Sequence, residues 1–118
     1  MITATDVQIV TRGDIGARHQ QLAREQIAKV GRYVGDPILF ARVKLTLTND
    51  PANARHAVAR AMLDVNGQPV RAVASAGTVP EAVDRLHERL RQQVERRVRA
   101  LRTRRRRAGR AARAQREG

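Results

Sequence analysis

A chain of 118 residues, 42% hydrophobic and only 2% aromatic (Tyr33 and Phe40), has room for one domain with a modest core of Leu, Val, Ile and Ala. Without cysteine it forms no disulfide or thiolate metal site, and no run approaches the roughly 18–20 apolar residues of a membrane span. Lys and Arg number 24 against 11 Asp and Glu, a net charge of +13, and residues 96–118 alone hold 11 Arg and one Glu; a field of that sign seeks polyanions, of which RNA and DNA are the commonest.

The opening MITATDVQIVTRGD lacks a basic start followed by a long apolar run, so no signal peptide is expected, and the cytoplasm is the expected compartment. Residues 6–11 (DVQIVT) are β-branched and bounded by Gly13, which predicts a strand. A helix is expected over residues 15–34. Ala23, Ile27, Val30 and Val34 make one apolar stripe with Leu22 beside it, while Arg18, Arg24, Lys29 and Arg32 fall off it. Gly35-Asp36-Pro37 should stop that helix.

Residues 41–48 (ARVKLTLT) alternate strictly. Val43, Leu45 and Leu47 face one way, and Arg42, Lys44, Thr46 and Thr48 the other, as on a half-buried strand. Asn49-Asp50-Pro51-Ala52-Asn53 reads as a loop. Residues 56–65 and 70–75 flank Asn66-Gly67, a strong hairpin signal because both turn residues tolerate positive φ. The Ala-rich HAVARAML also suits a helix, but the turn decides for strand. Pro69, with no N–H for a ladder, belongs at a strand start.

Thr78-Val79-Pro80-Glu81 is a capping box with Pro in the first turn. Val79, Val83, Leu86, Leu90, Val94, Val98 and Leu101 then keep an apolar stripe for six turns. About half that length covers a four-stranded sheet, so the rest of the helix should project. The expected division is an α+β domain over residues 1–107 and a basic, disordered tail or linker start over 108–118. The order β-α-β-β-β-α, with one apolar stripe per helix, predicts a two-layer sandwich with both helices on one face of the sheet.

Enzyme templates find little purchase. His19, His56 and His87 have no paired-ligand spacing, and His87 reads as a solvated side chain on a helix exterior. His56 and Asp64 invite a nuclease reading, but residues so far along one strand do not touch. Gly13-Asp14-Ile15-Gly16 lacks the phosphate-loop pattern, and Asp64 and Asp84 have no companion carboxylate at metal-binding spacing. No catalytic residue, metal, cofactor or small-molecule substrate is expected.

Weak signals for RNA agree with one another. Arg24, Lys29 and Arg32 lie outside the first helix's apolar stripe, and Arg42 and Lys44 occupy the polar face of the second strand. Arg85, Arg89, Arg91, Arg96, Arg97 and Arg99 follow the last helix, with Arg85, Arg89 and Arg96 in one stripe. The bland reading of any one of them is a solvated helix face, and Glu81 stands one turn before Arg85 as a local ion-pair partner. With two aromatics, neither in a base-stacking motif, backbone and shape recognition fits better than base stacking.

The hairpin AMLDVNGQPVRAVAS followed by EAVDRLHERLRQQV resembles the ribosome hibernation-promoting factor / ribosome-associated inhibitor (protein Y, sigma-54 modulation protein) family, and VQIV and LAREQIAKVGRYV align as well. The resemblance covers about residues 5–102. It implies a β-α-β-β-β-α domain similar to double-stranded-RNA-binding folds, lodged in the decoding channel of the small ribosomal subunit. There it would cover the tRNA sites and mRNA path, silencing and protecting idle ribosomes in a bacterial stress response. Small-subunit rRNA and ribosomal proteins would be its partners. Lys29, Arg32, Arg89 and Arg96 match basic positions of the family's two helices. Gln26 and Gln92 stand where relatives often carry basic residues, with Arg24 and Arg91 nearby. Long relatives add a C-terminal domain that pairs two ribosomes; this chain is either a short form or a sequence stopping inside that linker. The alternative function is a general structured-RNA binder or RNA chaperone.

Overall fold

The computed structural model describes residues 6–33, 37–48, 52 and 56–117, with side chains of the last helix described through Arg96 and at Ala100 and Arg106. The elements are β1 (Gln8–Arg12), α1 (Ala17–Val30), a 3₁₀ turn (Gly31–Tyr33), β2 (Ile38–Leu47), β3 (Ala57–Val65), β4 (Gln68–Ala76) and α2 (Val79–Glu117). The sheet order is β1-β2-β3-β4, with β1 parallel to β2 and the other pairs antiparallel. α1 packs on β1 and β2, α2 packs on β3 and β4, and the two helices touch. The α+β sandwich expected from the element order is the fold observed.

α1 is shorter than its apolar stripe suggested. Its N-cap, Gly16, offers no side-chain acceptor. Instead the Gln20 amide donates to the Ile15 carbonyl at 3.0 Å, and the Gln20 N–H to the Gly16 carbonyl at 3.2 Å. At the other end the Gly31 N–H is shared between the Ala28 and Lys29 carbonyls, which tightens the chain into the 3₁₀ turn. Gly35 and Asp36 of the expected helix stop, and Val34 at the end of the expected stripe, lie outside the described residues, as do Asn49, Asp50, Pro51 and Asn53 of the expected loop.

Gly13 sits between β1 and α1 at φ +95°, and a Cβ there would stand 2.3 Å from the Leu47 carbonyl oxygen. Only glycine fits on both counts. The hairpin turn has Asn66 at φ 50° and Gly67 at φ 88°, as Asn-Gly promises for a two-residue turn. The Asp64 carboxylate accepts the Gly67 N–H at 2.7 Å, and Val65 pairs with Gln68. Pro69 is the second residue of β4, opposite Asp64. It falls in the alternate series with residues 71, 73 and 75, whose carbonyls point off the sheet, so its missing N–H removes no ladder bond.

The layer beneath the helices has a lopsided composition. β2 supplies Val43 and Leu45, and the residues across from them on β3 and β4 are Ala61 and Ala72, then Ala59 and Ala74. Ala57 and Ala76 form the next row, beside Leu47. This alanine floor lets α2 lie close to β3 and β4. Its own Val83, Leu86, Leu90 and Val94, nearly solvent-free, fill the space together with Ile27 and Val30 of α1 and Leu63 of β3. The alanines also explain why this stretch looked helical in sequence.

α2 begins where predicted, with the Glu81 N–H donating to the Thr78 hydroxyl at 3.3 Å. The buried stripe reaches Val94, and the helix then continues to Glu117, nine residues past the expected onset of a tail at Ala108. The added segment is mostly Ala, Arg, Gln and Glu, all strong helix formers; a single Gly109 costs about 1 kcal/mol and does not break the hydrogen-bond ladder. No described helix is long and apolar enough to cross a membrane.

Candidate nucleic-acid interface

The basic residues named from sequence do not converge on one patch. Lys29 and Arg32 are exposed and Arg24 is half-buried, all on α1 and the turn after it. Arg42 and Lys44 are exposed on β2, but alternation with the buried Ala41, Val43 and Leu45 turns them to the face of the sheet away from both helices. Arg85, Arg89 and Arg96 run along α2 beside the edge of β4. Arg97 and Arg99 lie outside the described side chains.

The α2 residues have a local role that sequence spacing could not disclose. β4 is an edge strand, and its outward carbonyls at residues 71, 73 and 75 have no strand partner. Arg85 Nη1 donates to the Ser75 carbonyl at 2.8 Å, Arg89 Nη1 to that of Val73, and Gln93 Nε2 to that of Arg71 at 2.8 Å. Helical spacing of four residues matches strand spacing of two, about 6.0 Å against 6.6 Å, so three successive turns latch three successive carbonyls. The edge is thereby closed to another strand. Arg85 is thus directed at Ser75 in addition to any field it shares with Glu81. Replacing Arg85, Arg89 and Gln93 together with alanine should lower unfolding stability by about 1–2 kcal/mol, since exposed carbonyls regain water. The exposed neighbour change Arg96→Ala should stay within about 0.5 kcal/mol. Denaturant titration separates them, and equal midpoints would mean the latch contributes nothing.

Above the latch, Arg71, Arg89, Gln92, Gln93 and Arg96 line an open groove of about 390 Å³ between β4 and α2. Guanidinium groups along a groove of this kind suit phosphate oxygens. Gln92, the departure noted in sequence, is one of its walls.

Arg91 is differently engaged. Its guanidinium meets Glu88 at 2.5 Å and Glu95 at 3.3 Å, and lies 6.0 Å from the centre of the Tyr33 ring. The hydrogen bond from Arg91 holds the Glu88 carboxyl below its ordinary range, and Glu88 raises Arg91 in turn, so both stay charged. Two carboxylates already answer this cation, which leaves it less for a phosphate than Arg89 or Arg96 has.

His87 departs from the solvated reading. It is half-buried with its ring 5.9 Å from that of Tyr33, and its Nε2 is buried without a hydrogen-bond partner among the described residues. Desolvation lowers its pKa below the ordinary 6.5, with Glu88 opposing and Lys29 and Arg91 assisting. Because the folded imidazole is the weaker base, stability is full above pH 6.5 and is lost as pH falls from there through the depressed folded value. His87→Phe keeps a ring against Tyr33 and strands no nitrogen. It should flatten the stability loss as pH falls below 6.5 in thermal melts; an unchanged slope would assign that loss to other groups.

The hydrolytic pair considered from sequence is not assembled. His56 precedes β3 and Asp64 is its last residue but one, about 26 Å apart at strand rise, and the Asp64 carboxylate serves the hairpin turn. Among the described residues no three His, Cys, Asp or Glu side chains gather as metal donors.

Sequence reading overlooked Arg12, Arg60 and Arg71. All three are exposed and share the outward face with Arg42 and Lys44. The signal was present: a two-residue Asn-Gly turn fixes the hairpin register, and register fixes which side chains share a face.

A four-stranded mixed sheet under two helices, rimmed by cations, makes an α+β module with a basic surface. Residues 7–102 match the family described as sigma 54 modulation protein / S30EA ribosomal protein, and the chain belongs to that family. Among solved structures it is similar to the N-terminal domain of Protein Y from Thermus thermophilus, at 26% identity and a TM-score of 0.62 over 75% of this chain and 93% of that one. The fold also matches a ribosomal subunit interface protein from Coxiella burnetii, at 17% identity and a TM-score of 0.59 over 76% and 93% of the two chains. No curated protein matches the chain significantly.

Proposed function

We propose that this protein is a ribosome hibernation factor that occupies the decoding channel of the small subunit, blocks the mRNA and tRNA sites, and so silences and protects idle ribosomes. Family membership across residues 7–102 carries the reading. The similarity to a Protein Y domain and the net charge of +13 support it. In this reading residues 1–107 form the ribosome-binding unit, with small-subunit rRNA and neighbouring ribosomal proteins as partners in the cytoplasm. Lys29 and Arg32 beside α1, and Arg89 and Arg96 in the groove beside β4, meet phosphate. The action is steric, which asks for no catalytic group, metal or cofactor.

Co-sedimentation with purified small subunits and empty ribosomes, over a salt series with excess unrelated duplex RNA, tests this. Retention near physiological salt despite the competitor, with loss of mRNA and tRNA binding, is the expected result. Equal loss to the competitor would leave a general basic RNA binder. Lys29→Gln with Arg96→Gln should lower retention about tenfold or more, because each lost phosphate contact removes counterion release. Arg96 is preferred to Arg89 here, since Arg89 also latches the sheet edge.

A further inference from the structure

The sheet face turned away from the helices is not a neutral back. Register places Arg12 beside Thr46, Lys44 opposite Arg60, and Arg71 opposite Met62, with Arg42 between Gln8 and Met62. All five cations are exposed, and none meets a carboxylate or carbonyl among the described residues. Among the described residues the one carboxylate on this face, Asp64, sits at the hairpin end and is bonded to the Gly67 N–H. The other described carboxylates lie on the helices or on the segments leading into β1 and α1. The back is therefore more purely basic than the helix side.

Its arrangement is also unfavourable for folding alone. Lys44 and Arg60 are direct cross-strand partners, roughly 5 Å apart at Cβ, and like charges so placed repel. Arg71, on the edge strand, stands diagonally from Arg60 across β3 and β4, roughly 7–8 Å away, and also borders the α2 groove, so Arg42, Lys44 and Arg60 are the cations that belong to the back face alone. Cations thus cross all four strands in a band of about 14 Å. Exposed Val73 and half-buried Met62 and Val58 lie between them and give the band a flat, apolar floor. A surface that repels itself in isolation is stabilised by a polyanion laid across it.

We propose that this open sheet face is a second RNA-backbone site, so that one molecule holds two RNA segments on opposite sides. The proposal rests on the reading of the helix side as RNA-binding, and adds a separate surface with a separate occupant. A straight RNA helix lying against α1 and the α2 groove does not reach Lys44 and Arg60 through the sheet. Each face therefore takes its own phosphate run.

The test uses the full chain and two short RNA duplexes carrying donor and acceptor dyes. Wild type should bring donor and acceptor together at a protein-to-duplex ratio near one half, and lose this in excess protein. The triple variant Arg42→Gln, Lys44→Gln, Arg60→Gln should still bind one duplex by anisotropy but no longer bring two together. Its log–log salt slope should be shallower by about 2–3, on the expectation of about 0.9 per phosphate contact for B-form duplexes. Its melting midpoint should be unchanged or raised, since a like-charge pair is gone, which separates a binding loss from misfolding. Bridging and salt slope equal to wild type would overturn the second site, and leave the back face to another class of partner. Ribosome retention is read separately. If wild type bridges duplexes yet is competed off ribosomes, the hibernation reading fails while the second site stands.

Discussion

Replacing Gly13 with alanine is expected to lower unfolding stability by about 2–4 kcal/mol. Two costs combine. The backbone there has φ +95°, a region that L side chains occupy at about 1–3 kcal/mol. A methyl would also stand 2.3 Å from the Leu47 carbonyl oxygen, which is backbone and part of β2, so either the strand end or the turn must shift. Overpacking of that kind adds roughly 1–3 kcal/mol. Gly16, three residues on, provides the control. It has ordinary φ and nothing within 4 Å of an added Cβ, so Gly16→Ala should cost no more than about 1 kcal/mol as an altered N-cap. Urea titrations of both variants decide the matter. Similar losses at the two positions would mean that the close approach of Gly13 to Leu47 carries no weight.

Leu86→Ala should be at least as damaging, at about 3–4 kcal/mol. Leu86 has no solvent exposure, and α2 there faces both the alanine-floored half of the sheet and α1. A floor of methyl groups has no long side chains that could swing into the void, so the cavity should persist rather than collapse. Leu86→Met, which keeps volume, should cost less than about 1.5 kcal/mol. A loss below about 1 kcal/mol for the alanine variant would show that α2 settles into the gap, and would refute the picture of a tightly seated helix.

How much of this was legible beforehand depended on whether a signal was local. The alternation of Val43, Leu45 and Leu47 with Arg42, Lys44 and Thr46, the Asn66-Gly67 turn and the Thr78 cap each fix geometry within a few residues, and each appears in the structure. The helix boundaries were less legible. The stripe of Ala23, Ile27 and Val30 runs into residues that close as a 3₁₀ turn, because Gly31 shares its N–H between two carbonyls. α2 runs to Glu117 through a stretch whose low complexity suggests a tail, because Ala and Arg both have high helix propensity. Least legible were relations between elements. That Arg85, Arg89 and Gln93 answer Ser75, Val73 and Arg71 follows only once α2 is known to lie along β4. Spacing along one helix or strand does not say which cations of different elements share a face, and the candidates divide between two faces of the sheet. Arg60 and Arg71 lie inside Ala-rich strings, and only the strand register places them on the outward face.

The alanine floor has a mechanical consequence. The gap between α2 and β4 is set by methyl groups, and the three bonds from α2 to the β4 carbonyls reach across that same gap at fixed length. Interlayer distance and edge closure are therefore one variable. A change as mild as Ala74→Val, which many cores would absorb, acts here as a wedge: raising the helix stretches the bonds that seal the strand beside it. Drift toward larger residues is resisted from inside by the packing and from outside by the latch, so these small side chains hold the geometry of a surface they never touch.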